Sequence, residues 1–442
     1  MQFMITKPLQ TSLGLVISIT PSQVICNPQH VSSYLIVIIS PQNCVQNYFL
    51  VTYPYNGNCT IMETRDKNIT NTSKIAPGSA IRYFIAGGDA MVMGFEAKKK
   101  CVVMSTVKRI KDGKSLENIK NQLRKVSPIL VTGSSGYLGS AICQTLRIHD
   151  IRTVGIDLIN SDTTDFMGCV TDIGLLRKTI SDTRCKSIIH TAALHAPNLD
   201  YYSKEEYEKV NVDGTQNILE LAKEYQMAGV VFSSTTSLMN TNDVKSHKPS
   251  SEDDYLVLKD NIDYGTPRNI YGVTKKKAEK ICADEKDVNI AILRCSRFFV
   301  EDMYDTSLHS TQRKVAISNG NNKANELFCG TRASLEDTVI AHLVALEILS
   351  KELLVSEKRR FLGPLIISSP SPLLKSSYTK KDANETRLYK SLQWSLPKQI
   401  DRIYDSSNAW QELNIPPVWN FQRLVTDFED GINLKTIQNG LY

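Results

Sequence analysis

The sequence predicts an α/β protein whose larger part is a doubly wound parallel sheet, preceded by a mainly β region. From Ile129 onward, short apolar runs alternate with helical stretches, a pattern that places helices on both faces of a parallel sheet. Before residue 107 the texture differs, with apolar and β-branched runs at Leu13–Thr20, Tyr34–Ser40, Tyr48–Tyr53, Ala80–Ala86, Ala90–Phe95 and Cys101–Val107. Turn signals such as Pro21-Ser22, Pro77-Gly78 and Gly87-Gly88-Asp89 lie between them, which suggests a small antiparallel sandwich. The chain has 442 residues, more than one domain usually holds.

Taken in order, residues 1–107 are expected to form a β module of unknown role, since no catalytic constellation falls in them. Residues 108–126 are a basic linker. Within it Ser115 is a candidate N-cap, and Leu116, Ile119 and Leu123 have the spacing of an amphipathic helix. Residues 127–442 carry the α/β part. Its expected strands are Ile129–Val131, Thr153–Ile156, Ser187–His190, Val230–Ser233 and Ile290–Leu293. Its expected helices are Ser140–Leu146, Leu175–Ile180, Val212–Tyr225 and Tyr271–Glu285.

Composition excludes several classes. Hydrophobic residues at 41% and charged residues at 22% are ordinary for a globular protein with a core. The net charge of +6 comes without an arginine-rich stripe, so no nucleic-acid footprint is read from it. The lysines and arginines between Lys98 and Lys125 read as a solvated surface rather than an anion site. No apolar run approaches the ~18 residues that span a bilayer, and the short stretch Leu13–Ile19 makes a poor signal peptide. The ten cysteines form no C-x-x-C pair, so no metal site is expected and a reducing, cytoplasmic compartment fits best.

The strongest local signal is Ile129-Leu130-Val131-Thr132-Gly133-Ser134-Ser135-Gly136-Tyr137-Leu138-Gly139. A short apolar strand runs into a turn with three glycines that opens a helix. Gly133 makes the tight turn, Gly136 lets the backbone approach a pyrophosphate, and Gly139 lets the helix pack closely on the strand. Ser135, Tyr137 and Leu138 fall where backbone N–H groups at the helix start stabilise the anion. Asp157 closes the next strand, where an acid binds the adenosine ribose hydroxyls and repels a 2′-phosphate. NAD is therefore expected rather than NADP.

Further on, Tyr271-Gly272-Val273-Thr274-Lys275 places a tyrosine and a lysine on one helix face. A free tyrosine, with a pKa of about 10, is a poor base at neutral pH; a neighbouring ammonium favours the phenolate. The strand Val230–Phe232 ends in Ser233-Ser234-Thr235-Thr236-Ser237, and a threonine hydroxyl there can donate and accept. Two more segments are His190-Thr191-Ala192-Ala193-Leu194-His195 and Asn211-Val212-Asp213-Gly214-Thr215.

With these segments in this order, the sequence resembles the extended short-chain dehydrogenase/reductases, also called the NAD-dependent epimerase/dehydratase family, over about Ile129 to Phe428. The resemblance implies a Rossmann sheet with a small C-terminal substrate-binding subdomain, closed by the segment Tyr404 to Pro417. It implies Tyr271, Lys275 and Thr235 as the catalytic set, with Tyr271 and Lys275 also holding the nicotinamide ribose. It places Ala192, Ala193, Asn211 and Ser233 around the cofactor, and Val170 against adenine. His195 stands where some relatives carry a lysine near the phosphates, so phosphate or substrate contact and a structural role both remain open. A homodimer is compatible with the resemblance.

The departures concern the substrate. Cys169 replaces an acid that contacts adenine in relatives, and Leu238-Met239-Asn240 replaces a V-Y-G. Cys295 and Arg297 replace the tyrosine and asparagine of an R-Y-F-N, and Arg332 lies five residues before Asp337 rather than seven. Ser234, Arg297, Asn325, Glu326 and Arg332 are candidates for substrate contact, against surface or inter-subdomain salt links. The expected activity is hydride transfer at a sugar-like or nucleotide-sugar hydroxyl. Dehydration fits least, because Thr236-Ser237 offers no acid beside the threonine. A reductase of a non-nucleotide carbonyl compound is the alternative. The intact Tyr271 and Lys275 argue against a third reading, a non-catalytic NAD-binding regulator.

Overall fold

The computed structural model describes residues 116–247, 250–251, 254–299, 321–351, 359–375 and 377–430, together with four N-terminal strands. Those strands, β1 (Gln23–Ile25), β2 (Ser33–Ile39), β3 (Gln46–Thr52) and β4 (Thr60–Thr64), pair in sequence order as an antiparallel meander. They belong to the first of two compact units, residues 1–95 and 96–442. The runs expected at 13–20, 80–86, 90–95 and 101–107 lie outside the described residues.

The second unit is a doubly wound α/β fold. Its strands are β5 (Ile129–Thr132), β6 (Thr153–Asp157), β7 (Phe166–Met167), β8 (Ser187–His190), β9 (Val230–Thr235), β11 (Ile290–Cys295) and β14 (Phe361–Ile367). They form one sheet in the order β14-β11-β9-β8-β5-β6-β7, every pair parallel. The five expected strands all form. The two that the sequence did not suggest are edges. β7 has only two residues, and β14 is interrupted by Gly363-Pro364, which leaves its register against β11 irregular. Proline lacks a ladder donor and is tolerated at an edge. Four short strands lie outside this sheet: β10 (Leu256–Leu258) pairs with β15 (Arg402–Tyr404), and β12 (Arg297–Phe299) with β13 (Arg332–Ser334).

The main helices of this unit are α1 (Leu116–Lys125), α2 (Tyr137–Ile148), α3 (Ile173–Thr183), α4 (Gly214–Glu224), α5 (Ile270–Asp284), α6 (Leu335–Leu349) and the short α7 (Ser407–Glu412). Side-chain alternation along the strands divides them between two cores. Ile129, Val131, Val231 and Leu293 pack with α1, α2, α6 and α7, while Leu130, Ile188, Phe232 and Ile292 pack with α3, α4 and α5. Helix α6 is apolar almost all round and lies buried along nearly its whole length, as a helix without a polar face must. Each fully buried Leu or Ile contributes on the order of 1.5–3 kcal/mol. A third, aromatic core holds Phe328, Tyr389, Trp394 and Phe421 in the C-terminal subdomain.

Strand order reverses at β5, because β6 and β7 extend to one side while β8, β9, β11 and β14 extend to the other. The crevice at the carboxyl ends of β5 and β8 is the position where such sheets bind ligands. Among the described residues, no helix is long and apolar enough to cross a membrane, and no cluster could hold a metal ion.

Candidate active site

The glycine turn opens directly on that crevice. Gly133 has a φ of +71°, and a Cβ there would lie 2.8 Å from the Ala192 amide nitrogen on the opposite strand end. A Cβ on Gly139 would fall 2.1 Å from the Gly133 carbonyl oxygen. Helix α2 starts at Gly136 with no side-chain cap and no acid in its first turn, so its N-terminal dipole faces the crevice unneutralised. These features fit a dinucleotide pyrophosphate.

Asp157, at the end of β6, accepts hydrogen bonds from the Ser135 amide (3.0 Å) and the Ile159 amide (3.1 Å). Its carboxylate is thereby fixed beside the turn. Val170 is buried, and its carbonyl accepts from Asn217 Nδ2 at 3.0 Å. Cys169 is engaged locally by the Thr171 hydroxyl at 3.1 Å. Tyr137 packs its ring on Phe298, centroids 5.3 Å apart, and Leu138 packs on the sheet core.

Opposite the turn, Asn211 pins the loop after β8. It accepts from the Leu194 amide at 2.8 Å, donates to the Leu194 carbonyl at 3.1 Å, and donates to Thr274 Oγ1 on α5 at 3.1 Å. Asn211 sits in a π-helical turn, Lys209–Asp213, between two α-helices; such turns insert one extra residue and re-aim side chains. The loop's Ala192 amide reaches Thr132 Oγ1 at 3.3 Å, and Ala193 follows it along the half-buried crevice wall. His190 is a core histidine between Thr132 (2.7 Å) and Thr215 (3.2 Å), with its pKa pushed down to about 3 by burial and by Lys275. His195 faces the cleft, its ring 5.7 Å from that of Tyr271.

Helix α5 begins at an Asn269 cap that accepts from the Gly272 amide at 2.9 Å. It carries Tyr271 and Lys275 to the end of β9. The Tyr271 hydroxyl meets that of Thr235. Thr235 Oγ1 also accepts from the Ser237 amide at 3.1 Å, which leaves its proton free to point at the phenol. Lys275 is buried with Nζ 4.0 Å from the Phe232 ring centroid. Among the described residues it makes no hydrogen bond.

The sequence suggested that Lys275 would draw the Tyr271 pKa down. Burial instead pushes the phenol up, opposed by the Thr235 hydroxyl, while the same burial pulls Lys275 down to about 8.

Other candidates are held elsewhere. Ser233 faces α6, its hydroxyl 2.7 Å from His342 Nε2, while His342 Nδ1 donates to the Thr338 carbonyl at 2.7 Å. Ser234 faces the other way and donates to Glu279. The register explains both, since neighbouring residues on a strand point to opposite faces. Glu326 pairs with Arg332 and lies 3.6 Å from Arg297, while Arg332 Nη1 reaches the Phe298 carbonyl at 2.8 Å. Asn325 bonds Tyr389 (2.7 Å) and the Ser395 carbonyl (3.1 Å) within the C-terminal subdomain. Sequence reasoning passed over Glu279, Arg294 and His342, all buried polar residues. Only Glu279 left a signal, its position one helical turn after Lys275.

Residues 129–345 match the model of the NAD dependent epimerase/dehydratase family. UDP-glucose 4-epimerase 2 of Oryza sativa subsp. japonica is 29% identical over 177 residues, which cover 36% of this chain and 40% of that protein. Short-chain dehydrogenase/reductase family 42E member 1 of Xenopus laevis is 23% identical over 324 residues, 69% of this chain and 80% of that protein. The chain thus spans less than half the length of the rice relative. Among solved structures, one of a UDP-glucose 4-epimerase is 17% identical with a TM-score of 0.45, covering 71% of this chain and 95% of that one. A short-chain dehydrogenase/reductase superfamily protein from Agrobacterium tumefaciens with bound NAD is 17% identical with a TM-score of 0.46, covering 71% and 99%.

Proposed function

Given that the chain belongs, through residues 129–345, to the NAD dependent epimerase/dehydratase family, we propose that it moves a hydride between NAD and the carbon of a sugar-like hydroxyl, with Tyr271, Lys275 and Thr235 as its catalytic set. The observation that supports this most is the meeting of the Tyr271 and Thr235 hydroxyls beside the buried Lys275 at the mouth of the crevice. Bound NAD supplies the hydride acceptor and, when oxidised, a positive charge. The chain's own residues do the rest. Tyr271 takes the proton of the substrate hydroxyl at its phenolic oxygen. Thr235 holds that same oxygen, donating once it becomes a carbonyl. Lys275, lacking an acceptor among the described residues, donates to the nicotinamide ribose and favours the phenolate. The turn from Gly133 to Gly139 and the start of α2 hold the pyrophosphate, and Asp157 binds the adenosine ribose.

A second reading, reduction of a carbonyl compound without a nucleotide, draws on one specific feature. The two arginines suited to a diphosphate share Glu326 as their ion-pair partner. Thermal-shift measurements with NAD and a panel of nucleotide sugars, free sugars and small carbonyl compounds separate the two readings. Stabilisation by nucleotide sugars alone supports the first, and stabilisation by small carbonyl compounds alone supports the second.

The cofactor assignment has its own test. NADH binds, NADPH binds at least about tenfold more weakly because of Asp157, and Gly139→Ala loses most of the affinity for both. Fluorescence titration reads all three, and undiminished NADH binding by Gly139→Ala would discard the pyrophosphate cradle.

A further inference from the structure

One helical turn beyond Lys275, and on the same face of α5, lies Glu279, only 6% exposed. Its carboxylate accepts from the Ser234 hydroxyl, from Arg294 Nε at 3.0 and 3.2 Å, and from Arg294 Nη2 at 2.7 Å. Arg294 in turn donates from Nη1 to the Asp260 carbonyl at 2.9 Å. The Asp260 carboxylate accepts from the Ile366 amide (2.6 Å) and Asn408 Nδ2 (3.1 Å). The catalytic helix is thus tied through one buried chain of polar contacts to β9, β11, β14 and α7. A buried ion pair is seldom more stabilising than apolar residues of the same volume, so stability alone does not account for one beneath the site.

The groups around Lys275 suggest what the pair does. On its own helix are Tyr271, Glu279 and Cys282; from β8 and the loop after it come His190 and His195. β9 contributes Phe232 and β11 contributes Cys295, while Ser234 and Arg294 approach through Glu279. Cys282 and Cys295 are neutral thiols, pushed up to about 12 by burial, and His190 is neutral. Among these described groups Glu279 is the only carboxylate.

We propose that Glu279, held in place by Arg294 and Ser234, is a positioning residue that keeps Lys275 charged for its contact with the nicotinamide ribose. This rests on the reading that Lys275 binds the cofactor. The Glu279 carboxylate opposes the burial that otherwise strips the Lys275 proton, and the Arg294 and Ser234 contacts hold that carboxylate in place.

NADH affinity of the full chain, followed by fluorescence from pH 6.5 to 10, tests it. Wild-type affinity falls on the alkaline side as Lys275 deprotonates. Glu279→Gln shifts that fall about one pH unit lower, whereas Glu279→Asp, which keeps the charge, leaves it in place. Breaking half of a buried pair can prevent folding, while replacing both members is tolerated. The double variant Glu279→Gln/Arg294→Met therefore decides the matter if the single one fails to fold. It recovers thermal stability and still shows the lowered alkaline limb. A wild-type limb in a folded double variant overturns the proposal, because a purely structural role would return stability and limb together. Lys275→Met is the separate control. If it leaves NADH affinity at pH 7 unchanged, the reading of Lys275 itself fails; if it weakens binding tenfold while the Glu279 variants show no shift, only the positioning role fails.

Discussion

Replacing Tyr271 with phenylalanine is expected to lower turnover at least about 1,000-fold while NADH affinity changes by no more than about threefold. The substitution removes one oxygen and keeps the ring, which packs in a small cluster with Leu194 and Tyr207 and lies tilted against His195 at 5.7 Å. The fold around it should therefore stand. The lost oxygen is the one that meets Thr235, and no described neighbour can replace it as proton acceptor. The His195 ring is 5.7 Å from that of Tyr271 and makes no hydrogen bond to the phenol among the described contacts, and Thr235 is far too weak an acid to cycle. Loss of a positioned general base or acid typically removes a factor of about 100 to 10,000, and 1,000-fold corresponds to about 4 kcal/mol of transition-state stabilisation. The assay uses whichever compound stabilises the protein in the thermal-shift panel. Turnover within tenfold of wild type would show that the proton moves by another route.

The second large effect is loss of stability in mild acid, centred on two buried histidines. His190 is held neutral with its pKa near 3, and His342 with its pKa near 4. In each the hydrogen bonds fix which nitrogen is bare. Thr215 gives its proton to the Asn211 carbonyl at 2.7 Å, so His190 donates to it from Nε2 and accepts from Thr132 at Nδ1. His342 donates from Nδ1 to the Thr338 carbonyl and accepts the Ser233 proton at Nε2. Both folded pKa values lie below the unfolded value of about 6.5. The unfolded chain therefore binds more protons in that window, and stability falls as pH drops from about 6.5 toward 4. By pH 5 each histidine accounts for a loss of roughly 2 kcal/mol, a large share of a typical folding free energy of about 5–15 kcal/mol. Asp260, whose pKa is raised by burial, works in the opposite direction. Urea unfolding at pH 7.5, 6 and 5 reads the slope, which should be halved in His342→Gln. A flat profile across that range would mean that one or both rings are already charged or are reached by solvent.

Much of this was written locally. The glycine turn, the Asp157 strand end, the Tyr271/Lys275 pair and five strands of the sheet each lie within one short segment, where spacing and residue type state the conformation. The two edge strands were not legible. β7 is too short to show a period, and the Gly363-Pro364 break in β14 reads as a turn until a neighbouring strand pairs with it. The C-terminal substrate candidates were identified as polar groups in a plausible region, but nothing in their own segments said that Glu326 would take up Arg332 or that Asn325 would bond Tyr389.

By itself, then, the sequence determined the wound sheet, the cofactor turn and the helix that carries the tyrosine and lysine, because each follows from periodicity and backbone freedom within a few residues. Only the tertiary structure decided where the buried carboxylate beneath Lys275 finds its arginine and which way Ser233 and Ser234 face. Those outcomes depend on packing between residues far apart in the chain, such as Ser233 and His342, 109 positions apart. In the dry interior an unpaired polar group is costly, so the fold favours each partner that proximity supplies once the sheet has closed around it.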